Sequence, residues 1–298
     1  MPRRIALLTT LALAAALLAT VSHASSPWYR VKALTITTTV ASEGTLGKTS
    51  CVIDADLYTP LRVDRRHPAP AILATHGFGG SKAELLTLAR AYTAKGYVVL
   101  AYSGLGFGAD PQTKRRGSDC KITFDDRQHD GVAGSQLIDF LGGIRKADDG
   151  TKVDYVRKDP VAHDGRTHRG DPRVGMVGGS YGGQVQFAIA AVDPRLDALV
   201  PLATWNDLAY SLSPNNTTLK PGTVTYRVPG TEKVQWNSMF LSLGLKAGAL
   251  AGASISTRVG PCPNFSDAFC QALSTMGALG YADPSAQAVA RNASVTSY

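Results

Sequence analysis

The most constraining stretch of the sequence is residues 174–192, where a short apolar run leads through a glycine-rich turn into residues at helical spacing. The run is typical of a buried strand. The segment after the turn predicts a helix, because its apolar residues are spaced as on one helix face: Val185, Ala188, Ile189 and Val192. The turn contains the motif Gly178-Gly179-Ser180-Tyr181-Gly182. A strand that turns directly into a helix strains its corner residue and projects that side chain from the sheet. The pattern therefore predicts Ser180 as a nucleophile; the alternative is a glycine-rich turn with an incidental serine.

A second glycine-rich turn precedes this motif in the chain. The apolar run Pro70–Thr75 predicts a buried strand, and His76-Gly77-Phe78-Gly79-Gly80 follows it. Acyl transfer needs hydrogen-bond donors for the oxyanion, and two backbone N–H groups commonly supply them. We therefore predict the Phe78 and Tyr181 amides as the donors. His76 is expected to hold the loop through local hydrogen bonds and not to transfer protons.

The catalytic base has no evident candidate in the sequence. In this type of site the acid and the histidine follow the serine in chain order. None of the six histidines follows Ser180: they are His23, His67, His76, His129, His163 and His168. Five aspartates do follow it, namely Asp193, Asp197, Asp207, Asp267 and Asp283. His163 and His168, with Asp164 and Asp171, fit no standard metal spacing, so no metal is predicted.

The amino-terminal residues predict a secretory signal, residues 1–24. Arg3 and Arg4 precede the uncharged apolar run 5–21, and Ser22-His23-Ala24 places small residues at the cleavage-defining positions. The alternative is an uncleaved anchor, but the run is short for a bilayer span. We therefore predict cleavage after Ala24, a secreted or extracytoplasmic location, and no stable membrane span afterwards.

Cysteine and charge patterns are consistent with this location. The four cysteines predict two disulfides, Cys262 with Cys270 across a small loop and Cys51 with Cys120; free buried thiols are the alternative. The net charge is +8, but the basic residues are scattered, with short clusters at 62–66 and 114–116. No nucleic-acid motif is present, so we interpret these clusters as solvated surface and expect no nucleic-acid partner.

The order of predicted elements indicates an α/β fold. Residues 31–40 and 51–59 predict two antiparallel strands, and further strands are predicted at 97–102 and 196–203. Helices are predicted between strands, at 81–95 with a capping box formed by Ser81 and Glu84, and at 125–141. This alternation predicts a mainly parallel sheet with helices on both faces. Within one domain, 25–298, we predict a core at 31–204 and a helical lid-like segment at 205–298.

Four segments carry a resemblance to a known family. Residues 74–82, 96–102, 175–183 and 204–208 together resemble the X-prolyl dipeptidyl-peptidase and acyl-esterase (cocaine-esterase-like) serine hydrolases. The resemblance implies the α/β-hydrolase fold, no cofactor, and a peptide or acyl-ester substrate. Such an enzyme would cleave peptides after a penultimate proline or would hydrolyse acyl esters. The reaction would pass through an acyl-enzyme on Ser180, with the Tyr181 amide as oxyanion donor.

The chain departs from that family at its carboxyl end. Family members continue with two strands that deliver the acid and the histidine, so we expect an apolar sheet edge at 196–203 and a truncated product. Three hypotheses stay open: a secreted serine hydrolase; a non-catalytic hydrolase-like binding protein or subunit; and a hydrolase whose base is His76, His129 or a residue of another chain. Tyr210, Trp236 and Phe240 are expected to serve helix packing, with an apolar substrate pocket as the alternative. The oligomeric state is left open.

Overall fold

A computed structural model describes residues 28–43, 46–114, 116–214, 230–250, 262 and 264–298. The predicted signal, residues 1–24, lies outside the described residues. In the described part of the chain, no helix combines the length and apolar character needed to cross a bilayer.

Six strands form the main sheet, in the order β1-β2-β4-β3-β5-β6. They are β1 (Tyr29–Ala41), β2 (Lys48–Pro60), β3 (Ala71–Thr75), β4 (Val98–Tyr102), β5 (Val174–Gly179) and β6 (Ala198–Leu202). The two long β-branched strands pair antiparallel along their full lengths, Tyr29 opposite Pro60 and Ala41 opposite Lys48. β2 joins β4 antiparallel, whereas β3, β4, β5 and β6 run parallel. The predicted mainly parallel sheet is confirmed.

Three helices lie between these strands: α1 (Leu86–Ala94), α2 (Val132–Leu141) and α3 (Tyr181–Ala190). A 3₁₀ turn, Lys82–Leu85, precedes α1. The predicted capping box is wrong, because the Ser81 hydroxyl accepts from the Ala83 N–H instead of the Glu84 N–H. A π-helical turn, Arg127–Gly131, precedes α2, where the sequence predicts a continuous helix.

Helices cover both faces of the sheet, as predicted. Leu100 of β4 points to a core that includes Leu137 of α2 and Ile189 of α3. Val99, its neighbour in the strand, points to the opposite core, which includes Ala89 of α1. Both cores form because successive side chains of a strand alternate between faces.

The described residues after β6 are mainly helical. They form α4 (Leu208–Leu212), α5 (Val234–Leu250), α6 (Asp267–Leu279) and α7 (Pro284–Asn292), with a small antiparallel pair of strands, β7 (Gly230–Thr231) and β8 (Tyr281–Ala282). Among the described residues, β6 is the last strand of the main sheet and pairs with β5 only. Its Val200 and Leu202 side chains are 45% and 53% exposed. The Gln186 amide of α3 accepts from the Val200 N–H and donates to the Val200 carbonyl.

Both predicted disulfides are confirmed. Cys51 of β2 is bonded to Cys120, in the loop that follows β4. Cys262 is bonded to Cys270 in the first turn of α6. The described chain contains no free cysteine.

Candidate active site

Ser180 occupies the corner between β5 and α3. Its backbone angles are φ 54° and ψ −115°, a conformation that L-residues rarely adopt, and its side chain is exposed. The Ser180 N–H donates to the Leu202 carbonyl over 2.7 Å, which ties the corner to the end of β6. The strand–turn–helix setting predicted around the serine is therefore confirmed. Such strain costs of order 1–3 kcal/mol and persists only where the surroundings impose it.

Two glycines make this corner possible. A Cβ on Gly178 would lie 2.4 Å from the Gly182 carbonyl oxygen, and a Cβ on Gly182 would lie 2.7 Å from the Thr75 carbonyl oxygen. Both obstacles are backbone atoms, so no side-chain rotation relieves them. The glycines of the motif thus let β5, α3 and the end of β3 approach closely.

The His76–Gly80 loop lies beside the serine, as the chain order predicts. The position of a Cβ on Gly77 would be only 3.9 Å from the Ser180 Cβ. Tyr181 is the first residue of α3, where backbone N–H groups lack acceptors within the helix. The loop and the helix start therefore border the space in front of the serine.

The Phe78 ring fixes this loop by aromatic packing. Its centroid lies 5.0 Å from those of Phe107, Phe124 and Phe240, and 5.4 Å from that of Tyr181. Phe240 belongs to α5 and is buried, so it serves packing, as expected from the sequence. Trp236 and Tyr210 are about half exposed, at 53% and 47%. The helices after β6 thus support the loop directly.

His76 holds the loop and is not placed to act as a base. Its Nδ1 donates to the Gly77 carbonyl over 2.7 Å, and its Nε2 accepts from the Gly104 N–H over 2.9 Å. Burial lowers the pKa of His76 to about 4, so the ring is neutral at physiological pH. Both ring nitrogens are engaged with the backbone, which confirms the predicted local role.

The other described histidines also have partners away from Ser180. His67, His129 and His168 lie against Asp64, Asp126 and Asp164 respectively, at 3.1, 3.1 and 2.9 Å. The His163 ring contacts the Asp197 carbonyl oxygen over 3.0 Å. His23 lies outside the described residues. Among the histidines that the structure describes, none hydrogen-bonds to Ser180.

In the described part of the chain, one group of side chains lies close enough together to ligate a metal ion. It comprises Cys51, Asp119 and Cys120. The two sulfur atoms are joined in a disulfide and therefore offer no thiolate. This grouping does not have the chemistry of a metal centre.

A narrow cleft lies between the His76–Gly80 loop and α5. Its volume is about 230 Å³, and its walls include Gly79, Gly80, Glu84, Leu243 and Lys246. A Cβ on Gly79 would contact the Leu243 side chain at 3.3 Å, which shows how closely α5 approaches the loop. The cleft is smaller than a typical drug-sized ligand pocket.

A buried pair of carboxyl groups lies behind the site. One oxygen of Asp130 accepts from the Thr123 hydroxyl and from the Asp125 N–H, the latter over 3.1 Å. Neither oxygen of the Asp125 side chain has a partner among the described residues, and the residue is fully buried. Burial raises the pKa of Asp130 to about 6. Burial, followed by the charge of Asp130, raises the pKa of Asp125 well above its usual range.

The backbone around this pair is strained and touches the site. Phe124 and Asp125 have φ values of 56° and 64°, and the π-helical turn follows at once. The Tyr298 hydroxyl donates to the Asp125 carbonyl over 2.9 Å. The Phe124 ring stacks on Phe78, so the strained turn supports the loop beside Ser180.

The sequence interpretation missed this pair, because it treated the charges of residues 125–130 as a helix start. Asp126 does cap the turn, accepting from Gln128 and His129 N–H groups. Asp130, however, is buried with Leu137 and Leu141 on the inner side of the helix. Its spacing of seven and eleven residues from those leucines was the available signal, since such positions share one helix face.

The family follows from the sequence match that spans these elements. Residues 49–238 match the model of the X-Pro dipeptidyl-peptidase (S15 family). The chain belongs to this family. The match covers β2 to β6 and includes Ser180 and the His76–Gly80 loop. The fold is that of the α/β-hydrolases. No curated protein matches the sequence significantly.

Several solved structures are similar to parts of the chain. A peroxisomal α/β-hydrolase of Saccharomyces cerevisiae is 15% identical with a TM-score of 0.42, over 72% of this chain and 52% of that protein. A bacterial heroin esterase is 16% identical with a TM-score of 0.35, over 72% and 56%. A putative dipeptidyl aminopeptidase IV of Bacteroides ovatus is 17% identical with a TM-score of 0.38, over 61% and 22%. The chain spans about half the length of the first two and about a fifth of the third, and similarities at this level carry no argument about activity.

Proposed function

We propose that the chain is a secreted serine hydrolase that cleaves peptide (X-Pro dipeptidyl) or acyl-ester bonds through an acyl-enzyme on Ser180. The observation that carries this proposal is the exposed serine held at φ 54° between Gly178 and Gly182, where an added Cβ would lie within 2.7 Å of a backbone oxygen. A serine at such a corner presents its Oγ to a substrate without competing backbone contacts. The match to the X-Pro dipeptidyl-peptidase family and the two disulfides support the substrate class and the location.

The reaction needs a nucleophile, a base and hydrogen-bond donors for the oxyanion. Ser180 Oγ attacks the carbonyl carbon while its proton passes to a base, and the backbone N–H groups of Phe78 and Tyr181 stabilise the oxyanion. Collapse of the intermediate releases the amine or alcohol, which takes up the proton. Water then hydrolyses the acyl-enzyme. No cofactor takes part in this sequence.

The base comes from a group that does not contact Ser180 in this structure. His76 is excluded because both of its ring nitrogens are bonded to the backbone. His129 is held by Asp126 and lies in a cleft that does not include Ser180. A residue of another chain is the remaining source that the sequence analysis leaves open.

A second function is favoured by this same observation. Without a histidine against the serine, the space between the Phe78 loop, the Tyr181 corner and the helices after β6 would bind a peptide or ester and release it unchanged. Removal of the histidine from a comparable triad lowers kcat by about 10⁶-fold. The chain would then be a hydrolase-like binding protein.

Intact-mass analysis with a fluorophosphonate probe distinguishes the two functions. For the hydrolase we expect one adduct on the purified chain and none on Ser180→Ala. Faster labelling at higher protein concentration would indicate that another chain supplies the base. Absence of an adduct on a chain folded by circular dichroism would exclude the hydrolase and favour the binding protein. Glycyl-prolyl-p-nitroanilide and p-nitrophenyl acetate, compared as substrates, separate peptidase from esterase activity.

A further inference from the structure

The end of the sheet opposite Ser180 carries an exposed surface that combines large apolar side chains with arginines. β3 begins at Ala71 and β4 at Val98, so the loops before them lie at the amino ends of the parallel strands. Ser180 and the His76–Gly80 loop follow the carboxyl ends of β5 and β3. The two surfaces therefore face away from each other across the sheet.

Two large apolar side chains are exposed on this opposite surface. Trp28 is 44% exposed and Leu61 is 58% exposed. They are neighbours, because the Leu61 N–H donates to the Trp28 carbonyl over 3.1 Å. A shallow cleft of about 480 Å³ runs between them, with Arg62 and the end of α1 in its walls.

Three arginines lie beside this apolar pair. Arg62, Arg66 and Arg157 line an adjoining cleft of about 840 Å³ that shares Arg62 with the first. The acidic residue of its lining, Asp64, already accepts from the Arg66 and His67 N–H groups. No carboxylate of the described residues pairs with any of the three guanidinium groups, whereas Arg65 is paired with Asp154. Asp64 offsets one of the three positive charges, so the surface carries a net positive charge.

We propose that this basic–aromatic face, formed by Trp28, Leu61, Arg62, Arg66 and Arg157, docks on the surface of a membrane that contains anionic lipids. Tryptophan is favoured at the headgroup level, where its ring is partly in contact with hydrocarbon. Arginines near an anionic surface are attracted electrostatically, within a distance set by the salt concentration. The two exposed apolar side chains and the three free guanidinium groups match these two requirements side by side.

Other occupants fit the same face less well. A soluble polyanion would neutralise the arginines but leave Trp28 and Leu61 exposed to water. A second copy, related by a two-fold axis, would bring the same arginines together and place like charges opposite each other.

Docking in this way directs the nucleophile outward. With the amino ends of β3 and β4 against the lipid, Ser180 at the carboxyl end of β5 faces the aqueous phase. The proposal does not depend on the catalytic assignment, because none of the five residues contributes to the candidate active site.

Vesicle flotation with the full chain tests the proposal. We expect binding to vesicles of equal parts phosphatidylcholine and phosphatidylglycerol, little binding to phosphatidylcholine alone, and weakening by added salt. The variant Arg62→Gln/Arg66→Gln/Arg157→Gln should lower partitioning roughly 100-fold. Trp28→Ala/Leu61→Ala should lower it roughly tenfold. The matched control Lys114→Gln/Lys233→Gln/Lys246→Gln removes the same charge from other, exposed positions and should bind like the wild type.

Three outcomes would overturn the proposal. Equal losses in the arginine variant and the lysine control would show that net charge alone drives binding. Equal binding to neutral vesicles, unchanged in both face variants, would assign it to the upstream apolar run. Retention on heparin without binding to either vesicle would assign the arginines to a sulfated polysaccharide. Circular dichroism of each variant verifies that the exposed substitutions leave the fold intact.

Discussion

Of the turns that hold non-glycine residues at positive φ, the turn at Ser180 and the turn at Phe124 and Asp125 do so by different means. The turn at Ser180, with φ 54°, is exposed and is imposed by backbone contacts around Gly178 and Gly182. The turn at Phe124 and Asp125, with φ 56° and 64°, is buried and is held by the side chains of Thr123 and Asp130. The first turn exposes Ser180 to solvent. The second buries two carboxyl groups, and its Phe124 ring stacks on Phe78 in the loop beside Ser180.

The largest effect should come from filling the space at the exposed turn. In Gly178→Ala the new methyl group would meet the Gly182 carbonyl at 2.4 Å, so we expect a loss of about 4 kcal/mol in the free energy of unfolding. Gly277→Ala is the matched control, because nothing lies within 4 Å of that position in α6. It should stabilise the chain by about 1 kcal/mol through helix propensity. Urea denaturation measures both, and equal changes would contradict the account of the glycines.

The buried turn should be weakened by removing its acceptor. Asp130→Ala leaves the Thr123 hydroxyl and the Asp125 N–H without a partner, so we expect a loss of about 3 kcal/mol in unfolding free energy. Thr123→Val should cost about 1–2 kcal/mol, and Thr123→Ser should restore most of it because the hydroxyl is retained. If Thr123→Ser were as unstable as Thr123→Val, the methyl group and not the hydrogen bond would be responsible.

The pH dependence of stability offers a sharper test of the buried turn. Burial raises the pKa of Asp130 to about 6, so the wild type loses the stability linked to this group as pH rises from about 4 to 6. His76, with its pKa lowered to about 4, acts oppositely and loses stability as pH falls below 6.5. We therefore compare Asp130→Asn with the wild type at each pH. Relative to the wild type, the unfolding free energy of Asp130→Asn should rise as the pH increases from 4 to 7, by up to roughly 3 kcal/mol.

The exposed carboxyl of Asp64 provides a control of opposite sign. Backbone hydrogen bonds from His67 are the main cause that lowers the pKa of Asp64. Its contribution is therefore present above the unfolded pKa and is lost as the pH falls. Asp64→Asn should become slightly less stable than the wild type as pH rises. A difference curve for Asp130→Asn with that same sign would contradict the burial of its charge.

The smallest effect should come from relaxing the exposed turn. Ser180→Gly allows φ 54° without steric cost, so we expect a gain of about 1 kcal/mol in unfolding free energy. Ser180→Ala removes the same hydroxyl but retains the Cβ, so its stability should stay close to that of the wild type. Both variants should lose fluorophosphonate labelling. Equal stability of the two would indicate that the corner stores no strain.

The sequence predicts the exposed turn better than the buried one. Gly178, Ser180 and Gly182 lie close together in the chain, and their spacing alone specifies a strand, a corner and a helix. The disulfides could be predicted for a related reason, because four cysteines in a predicted exported chain allow few pairings. The mainly parallel sheet follows from the alternation of short apolar runs with helical segments.

The buried turn is different because its contacts are tertiary. Tyr298 reaches the Asp125 carbonyl from the other end of the chain, and Thr123 reaches Asp130 across the two positive-φ residues between them. Of these features, the sequence signals only the burial of Asp130, through its spacing from Leu137 and Leu141. The failed capping box at Ser81 has a similar origin. Its hydroxyl bonds one residue earlier in a 3₁₀ turn, a choice set by how the loop meets α1.

The packing of Phe78 against Phe240 joins the loop beside the serine to a helix far along the chain. A local opening that detaches α5 also removes the Phe240 ring from its contact with Phe78. The His76–Gly80 loop and α5 therefore form one cooperative unit of the native state. Their amides should then share a single hydrogen-exchange opening energy. A ligand in the cleft lined by Gly80, Leu243 and Lys246 would slow exchange in both segments together.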